Sequence, residues 1–127
     1  MVNLLSILPK LNESGVNVKV IAAVSEELFD RQPASYRNSV LPPEAVHDLM
    51  FISSGTRRMW PLRNVGTLTD KYSLTADWDD QWLTGGLVPD VIAEAHLDAE
   101  SIFSGVERFA TERHQRLEQQ RTALDAL

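Results

Sequence analysis

Val16-Asn17-Val18-Lys19-Val20-Ile21-Ala22-Ala23-Val24 opens with alternating apolar and polar residues and closes as a continuous apolar run. That pattern, rich in β-branched side chains, predicts a buried parallel strand. Ser25 follows as a helix cap, with Glu26 and Glu27 in the first turn, where negative charge is favoured. The helix it opens is expected to run to about Arg31, because Pro33 disfavours a helical Gln32. Ala34 to Ser39 reads as a short helical turn closed by Leu41-Pro42-Pro43. Val46 to Ser53 then predicts a second buried strand centred on Leu49-Met50-Phe51-Ile52. Upstream, Leu4, Leu5, Leu8 and Leu11 give Val2 to Leu11 helical spacing, with Pro9 to shorten or bend the helix and Gly15 to end it. Helices alternating with strands imply a parallel sheet with crossover helices.

Ser54 to Arg63 is expected to be a loop or short helix. A third, weaker strand is placed within Val65 to Leu74, around Gly66-Thr67-Leu68, and Thr75 to Gly86 carries no clear pattern. Pro89 suits the first position of a helix reaching Ala95. Asp98 can cap a long final helix from Ala99, with Ile102, Phe103, Val106, Phe109 and Ala110 as its buried stripe. Gly105 costs that helix about 1 kcal/mol relative to alanine. A seven-residue repeat continues to the end, with Phe103, Ala110, Leu117 and Leu124 in one row and Val106, Arg113, Gln120 and Leu127 in the other. Arg113 and Gln120 interrupt a coiled-coil seam, so the tail is expected either to dock on another subunit or to stay solvated. The expected organisation is an α/β domain over residues 1–108 followed by a helical extension over 109–127.

Composition narrows the function classes. A 127-residue chain is one domain in size, and 43% hydrophobic content supports a real core. The apolar runs Val20 to Val24 and Leu49 to Ile52 are too short to span a bilayer. No basic leader precedes Leu4, Leu5 and Ile7, so a soluble cytoplasmic protein with no membrane partner is expected. The net charge of −6, with scattered basic residues, argues against nucleic acid. The absence of cysteine excludes disulfides, thiolate metal sites and a cysteine nucleophile.

The polar residues supply few candidates for chemistry. His47, His96 and His114 match no zinc spacing and read as isolated structural or solvated groups. Asp77, Asp79 and Asp80 could offer oxygen to a divalent cation, but the glycine and glutamate of a calcium loop are missing, and an acidic turn beside Trp78 and Trp82 is the reading adopted. Gly85-Gly86 could present amides to an anion at a helix start, yet no phosphate-loop lysine accompanies them. Ser53-Ser54-Gly55-Thr56-Arg57-Arg58 lies past the second strand, at the strand end where parallel sheets gather ligands. A salt-bridged surface pair is expected there, with an anion site as the alternative. Accordingly no catalytic, cofactor-binding or metal-binding residue is assigned.

One region is more specific. Val18 to Gln32, followed by Tyr36-Arg37-Asn38-Ser39-Val40-Leu41-Pro42, resembles the C-terminal domain of the transketolase family. There a strand ending in Ser precedes Glu-Leu-Phe, a Gln, and Tyr-Arg-x-Ser-Val-Leu-Pro. His47 to Gly55 resembles the family's next strand, and Trp60 and Val65-Gly66 fit positions beyond it. Pro89 to Ile102 resembles the closing pair of helices. The resemblance implies a three-layer α/β/α fold with a small, mostly parallel (mixed) sheet, here with a long C-terminal helix. It also implies a non-catalytic structural and assembly role in an enzyme that moves two-carbon ketol units between sugar phosphates. Thiamine diphosphate and its magnesium would be held by companion domains or subunits, in a homo- or hetero-oligomer, and the isolated chain would be inactive. A stand-alone domain of the same fold that binds an anion or small molecule is the second reading. The chain departs from the pattern in two places. Met1-Val2-Asn3-Leu4 already occupies the first helix, which leaves the strands before it to a partner or marks a fragment. Trp82 to Pro89 also replaces the usual Phe-Gly-x-Ser-Ala-Pro.

Overall fold

The computed structural model describes residues 1–57 and 70–127. Helix α1 covers Val2–Glu13, α2 Glu26–Asp30 and α3 Ala34–Val40, and a 3-10 helix spans Pro43–Asp48. Strands β1 (Ile52–Ser53) and β2 (Leu74–Thr75) form a parallel pair, with Ile52 opposite Leu74 and Ser53 opposite Thr75. Helices α4 (Val88–Glu94), α5 (Ala99–Thr111) and α6 (Arg113–Asp125) complete the order. The chain is therefore α/β in class but dominated by helix, with a small parallel sheet and a long helix in its C-terminal half.

The core lies where α1 meets α5. Ile7 and Leu11, one turn apart, bury against Ile102, Phe103 and Val106. Each such side chain contributes about 1.5–3 kcal/mol when taken from water. Leu4, Leu8, Val16, Val18, Met50, Ile52, Leu74 and Ala99 close around that cluster, so the sheet covers one side of the helix pair. Polar contacts fix the register of the two helices. The Asn3 side-chain amide donates to the Leu97 carbonyl at 2.9 Å, and Lys10 reaches Glu100 at 3.2 Å while lying over the Phe103 ring.

Local sequence explains the helix ends. Gly15 adopts a positive φ of 74° after α1. Its amide donates to Asn12 and that of Val16 to Leu11, the paired bonds that satisfy a helix's last carbonyls. The same pair recurs after α4, from His96 to Ala93 and from Leu97 to Ile92, with His96 at a φ of 56°. A non-glycine residue there costs about 1–2 kcal/mol, and stacking of the His96 ring on Trp78 at 4.3 Å offsets part of it. Ser25 caps α2 through Leu28, and Asp98 caps α5 through Glu100 and Ser101, as the sequence predicts. The predicted stripe of α5 also faces inward: Ile102, Phe103 and Val106 are buried, with Phe109 and Ala110 half-buried.

The strand expectations fare differently. Val16 to Val24 joins no ladder, and Val20 and Val24 are exposed, Val24 at 95%. Alternation and β-branching favour an extended backbone, but a strand exists only when a neighbouring edge supplies partners for its amides. The second predicted strand, Val46 to Ser53, shrinks to Ile52–Ser53, because Pro43 opens a 3-10 helix that consumes residues through Asp48. The third, around Gly66-Thr67-Leu68, falls outside the described residues. A strand does form at the C-terminal edge of that window, where the Leu74 amide donates to Phe51 and the Phe51 amide to the Ser73 hydroxyl.

The continuous C-terminal helix expected from Ala99 is broken at Glu112, which ends α5 and begins α6. Tyr72 donates its hydroxyl proton to the Glu112 carboxylate at 2.5 Å and packs edge-on against Phe109. Beyond the break, the fully buried Arg116 donates to Asp48 at 2.8 Å and to the Phe109 carbonyl at 2.7 Å, with its guanidinium over the Phe109 ring. Arg113 takes the other oxygen of Asp48, and Gln120 donates to the His47 carbonyl. Partial burial pushes the Asp48 carboxyl up, but the bonds from Arg113 and Arg116 outweigh it and hold its pKa below the ordinary value.

Two predictions follow from this packing. A Cβ on Gly105 would lie 3.0 Å from Leu74 Cδ1. Gly105→Val should therefore lose about 1–3 kcal/mol in urea unfolding despite its better helix propensity, and Leu74→Ala should relieve most of that loss. A more stable Gly105→Val would reject close approach as the reason for glycine. For the ion pairs, Asp48 has a lowered folded pKa, so its contribution is complete above the unfolded carboxylate value and fades as pH falls through the folded one. Arg116→Met should cost about 2–4 kcal/mol at neutral pH. The stability lost between about pH 6 and pH 3 should be smaller in Asp48→Asn than in the parent, measured by thermal melts.

Candidate functional site

The parallel pair directs its carboxyl ends toward Ser53-Ser54-Gly55 and Ala76-Asp77, the place where an α/β sheet would hold a ligand. The region is closed on itself. Ser53 Oγ accepts from the Gly55 amide at 3.0 Å, and Asp77 accepts from the Arg57 amide at 2.8 Å. The Arg57 guanidinium pairs with Asp70 at 3.0 Å. That amide bond is the largest influence on Asp77 and keeps its pKa below the usual value. Arg57 thus forms the salt-bridged surface pair expected of it, whereas Arg58 lies outside the described residues. Thr75, fully buried between these groups and the core, has an Oγ1 without a hydrogen-bond partner among the described residues.

The other candidates disperse. His47 is exposed and uses its carbonyl on Gln120; His96 stacks on Trp78; His114 is exposed beside Glu118 at 3.7 Å. Asp77 and Asp79 are occupied by backbone amides, and Asp79 and Asp80 are exposed. Gly85 and Gly86 are exposed ahead of a helix of only seven residues. Their neighbour Thr84 is tied to the carboxylate of Glu94, whose pKa is lowered by the Thr84 hydroxyl and amide. A cleft of about 330 Å³ lies between α2 and Leu41-Pro42-Pro43. Its one cation, Arg37, donates to the Asp30 carbonyl at 2.7 Å.

A thiamine diphosphate centre needs a divalent cation held by several oxygens. Among the described residues no group of three His, Asp or Glu side chains is placed to hold one. What the chain does offer is surface: the extended Val16–Val24 run packs Val16 and Val18 on the core but exposes Val20 and Val24, has no ladder partner among the described residues, and is continued by the exposed Leu28 and Tyr36. Alternation in the sequence points to this run as a strand, whereas its lack of a ladder partner among the described residues is set by the fold. Sequence reasoning places Arg116 on the exposed side of its helix as an i, i+4 partner of Glu112. It is instead buried against Asp48, since a charged residue on an otherwise polar helix face leaves no periodic signal of burial.

No helix among the described residues is long and apolar enough to cross a membrane. Comparison with curated proteins gives no match, and comparison with solved structures gives none either. The family model described as "Transketolase-like TK C-terminal domain" matches residues 3–76, from α1 through β2 and more than half of the chain. That span contains the Ser-capped α2 and the Tyr36 to Pro42 segment, and it ends where the acidic turn begins. By that match the chain belongs to the family of transketolase-like C-terminal domains.

Proposed function

We propose that this chain is the non-catalytic structural and assembly domain of a transketolase-like enzyme that transfers two-carbon ketol units between sugar phosphates. The observation that carries the reading is the Val16–Val24 run inside the family-matched segment, exposed at Val20 and Val24 and in no ladder among the described residues. A buried-strand sequence left partly at the surface offers its exposed apolar side chains, here Val20 and Val24, to another sheet or subunit. Companion thiamine-binding domains or subunits would supply that neighbour and complete the three-layer arrangement. They would also hold thiamine diphosphate and magnesium. Residues 1–108 would then form the family domain and 109–127 its helical extension, in a cytoplasmic oligomer. The acidic net charge supports protein partners over nucleic acid. The second reading, an anion-binding regulatory domain, gains no support from Arg57, whose guanidinium already holds Asp70.

Two measurements test the proposal. Calorimetry of the purified chain with thiamine diphosphate and magnesium should give no binding heat, and a ketol-transfer assay no turnover; turnover without a partner would overturn the non-catalytic assignment. On mixing with a thiamine-binding transketolase subunit, amides of residues 17–24 should slow in hydrogen exchange by at least about tenfold. Unchanged exchange in a complex that does form would remove the run from the interface.

A further inference from the structure

The segment after the family match has its own chemistry. Between Tyr72 and Arg108 the sequence carries eight carboxylates and no lysine or arginine. Within it, Trp82 is 98% exposed and Leu87 and Val88 more than 70% exposed, so three large apolar side chains point into water along one loop and helix start. The loop is anchored. Trp78 stacks on His96 and donates its indole N–H to the Glu94 carbonyl at 3.3 Å, and Thr84 bonds to the Glu94 carboxylate through both amide and hydroxyl. Asp79, Asp90 and Glu94 form no ion pair with any described residue.

We propose that Trp82, Leu87 and Val88, flanked by Asp79, Asp90 and Glu94, form a docking face for a protein surface whose apolar groove is rimmed by lysine and arginine. An exposed indole set in an anchored loop is the kind of side chain that supplies the buried centre of an interface. Carboxylates around it that form no ion pair with a described residue select a cationic rim and repel an acidic one. A nucleic acid or an anionic membrane surface is disfavoured by the same charges. A second copy of this chain is disfavoured too, because its corresponding face is equally acidic. The face lies beyond residue 76, so the proposal does not depend on which enzyme the family domain serves.

The test uses three labelled synthetic peptides followed by fluorescence anisotropy: an amphipathic Lys/Leu helix, a lysine-only peptide and a Glu/Leu helix. The Lys/Leu peptide should bind in a salt-dependent way and the Glu/Leu peptide should not. Trp82→Ala should weaken binding by at least about tenfold. The pair Asp79→Asn and Asp90→Asn should weaken it by about threefold, whereas Glu13→Gln with Asp125→Asn should leave it unchanged. Trp82 makes little contact with the rest of the chain, so circular dichroism of Trp82→Ala should match the parent and exclude misfolding as the cause. Equal binding of the lysine-only peptide, or affinity indifferent to Trp82→Ala, would overturn the proposal. So would a concentration-dependent dimer that Trp82→Ala abolishes, because the face would then pair two copies of the chain.

Discussion

Leu11 and Ile7 on α1 pressed against Ile102, Phe103 and Val106 on α5 form the contact on which the remaining structure depends. The two helices are nearly ninety residues apart in sequence, so their contact closes the chain into a domain. A two-residue ladder cannot do that alone, since isolated strand pairs are marginal in water. The sheet instead borrows its order from the helices: Ile52 and Leu74 reach the core because the α1–α5 pair presents a surface for them. Gly105 permits that approach by leaving room for Leu74 where any Cβ would crowd it.

A second, polar level of organisation holds the C-terminal half. Asp48 receives both Arg113 and Arg116, and the aromatic rings of Tyr72 and Phe109 screen the buried guanidinium. Burying an arginine this completely is costly unless its charge and most of its donors are matched. Here a carboxylate, a carbonyl and two rings supply the match, although Nε lacks a hydrogen-bond partner among the described residues. The arrangement joins a segment inside the family match to one outside it, so the region after residue 76 is integrated with the family core.

Helix caps were the most legible part of the sequence. Ser25, Asp98, Gly15 and the proline-initiated α4 act through neighbours within a few positions, and such short-range chemistry survives without knowledge of the fold. The apolar stripe of α5 was equally readable, because helical periodicity encodes the buried face directly. Strands were not. Val16 to Val24 has the composition of a sheet interior, but pairing is a property of two segments and no single segment announces whether its neighbour is present. Among the candidate sites, a salt bridge at Arg57 could be anticipated from charge, but not its partner Asp70. The buried Arg116 depends on Asp48, nearly seventy residues away, and no local pattern records such a distance.

The break at Glu112 has a mechanical consequence. Glu112 is both the last cap of α5 and the first of α6, and its carboxylate is gripped by Tyr72, two residues before β2. The angle between the two helices is thereby referenced to the strand. Arg113, Arg116 and Gln120 tie the other side of α6 to Asp48 and His47, so the helix is braced between the strand and the 3-10 helix. Its last turn runs on past these ties, with Leu124 and, just beyond the helix, Leu127 exposed.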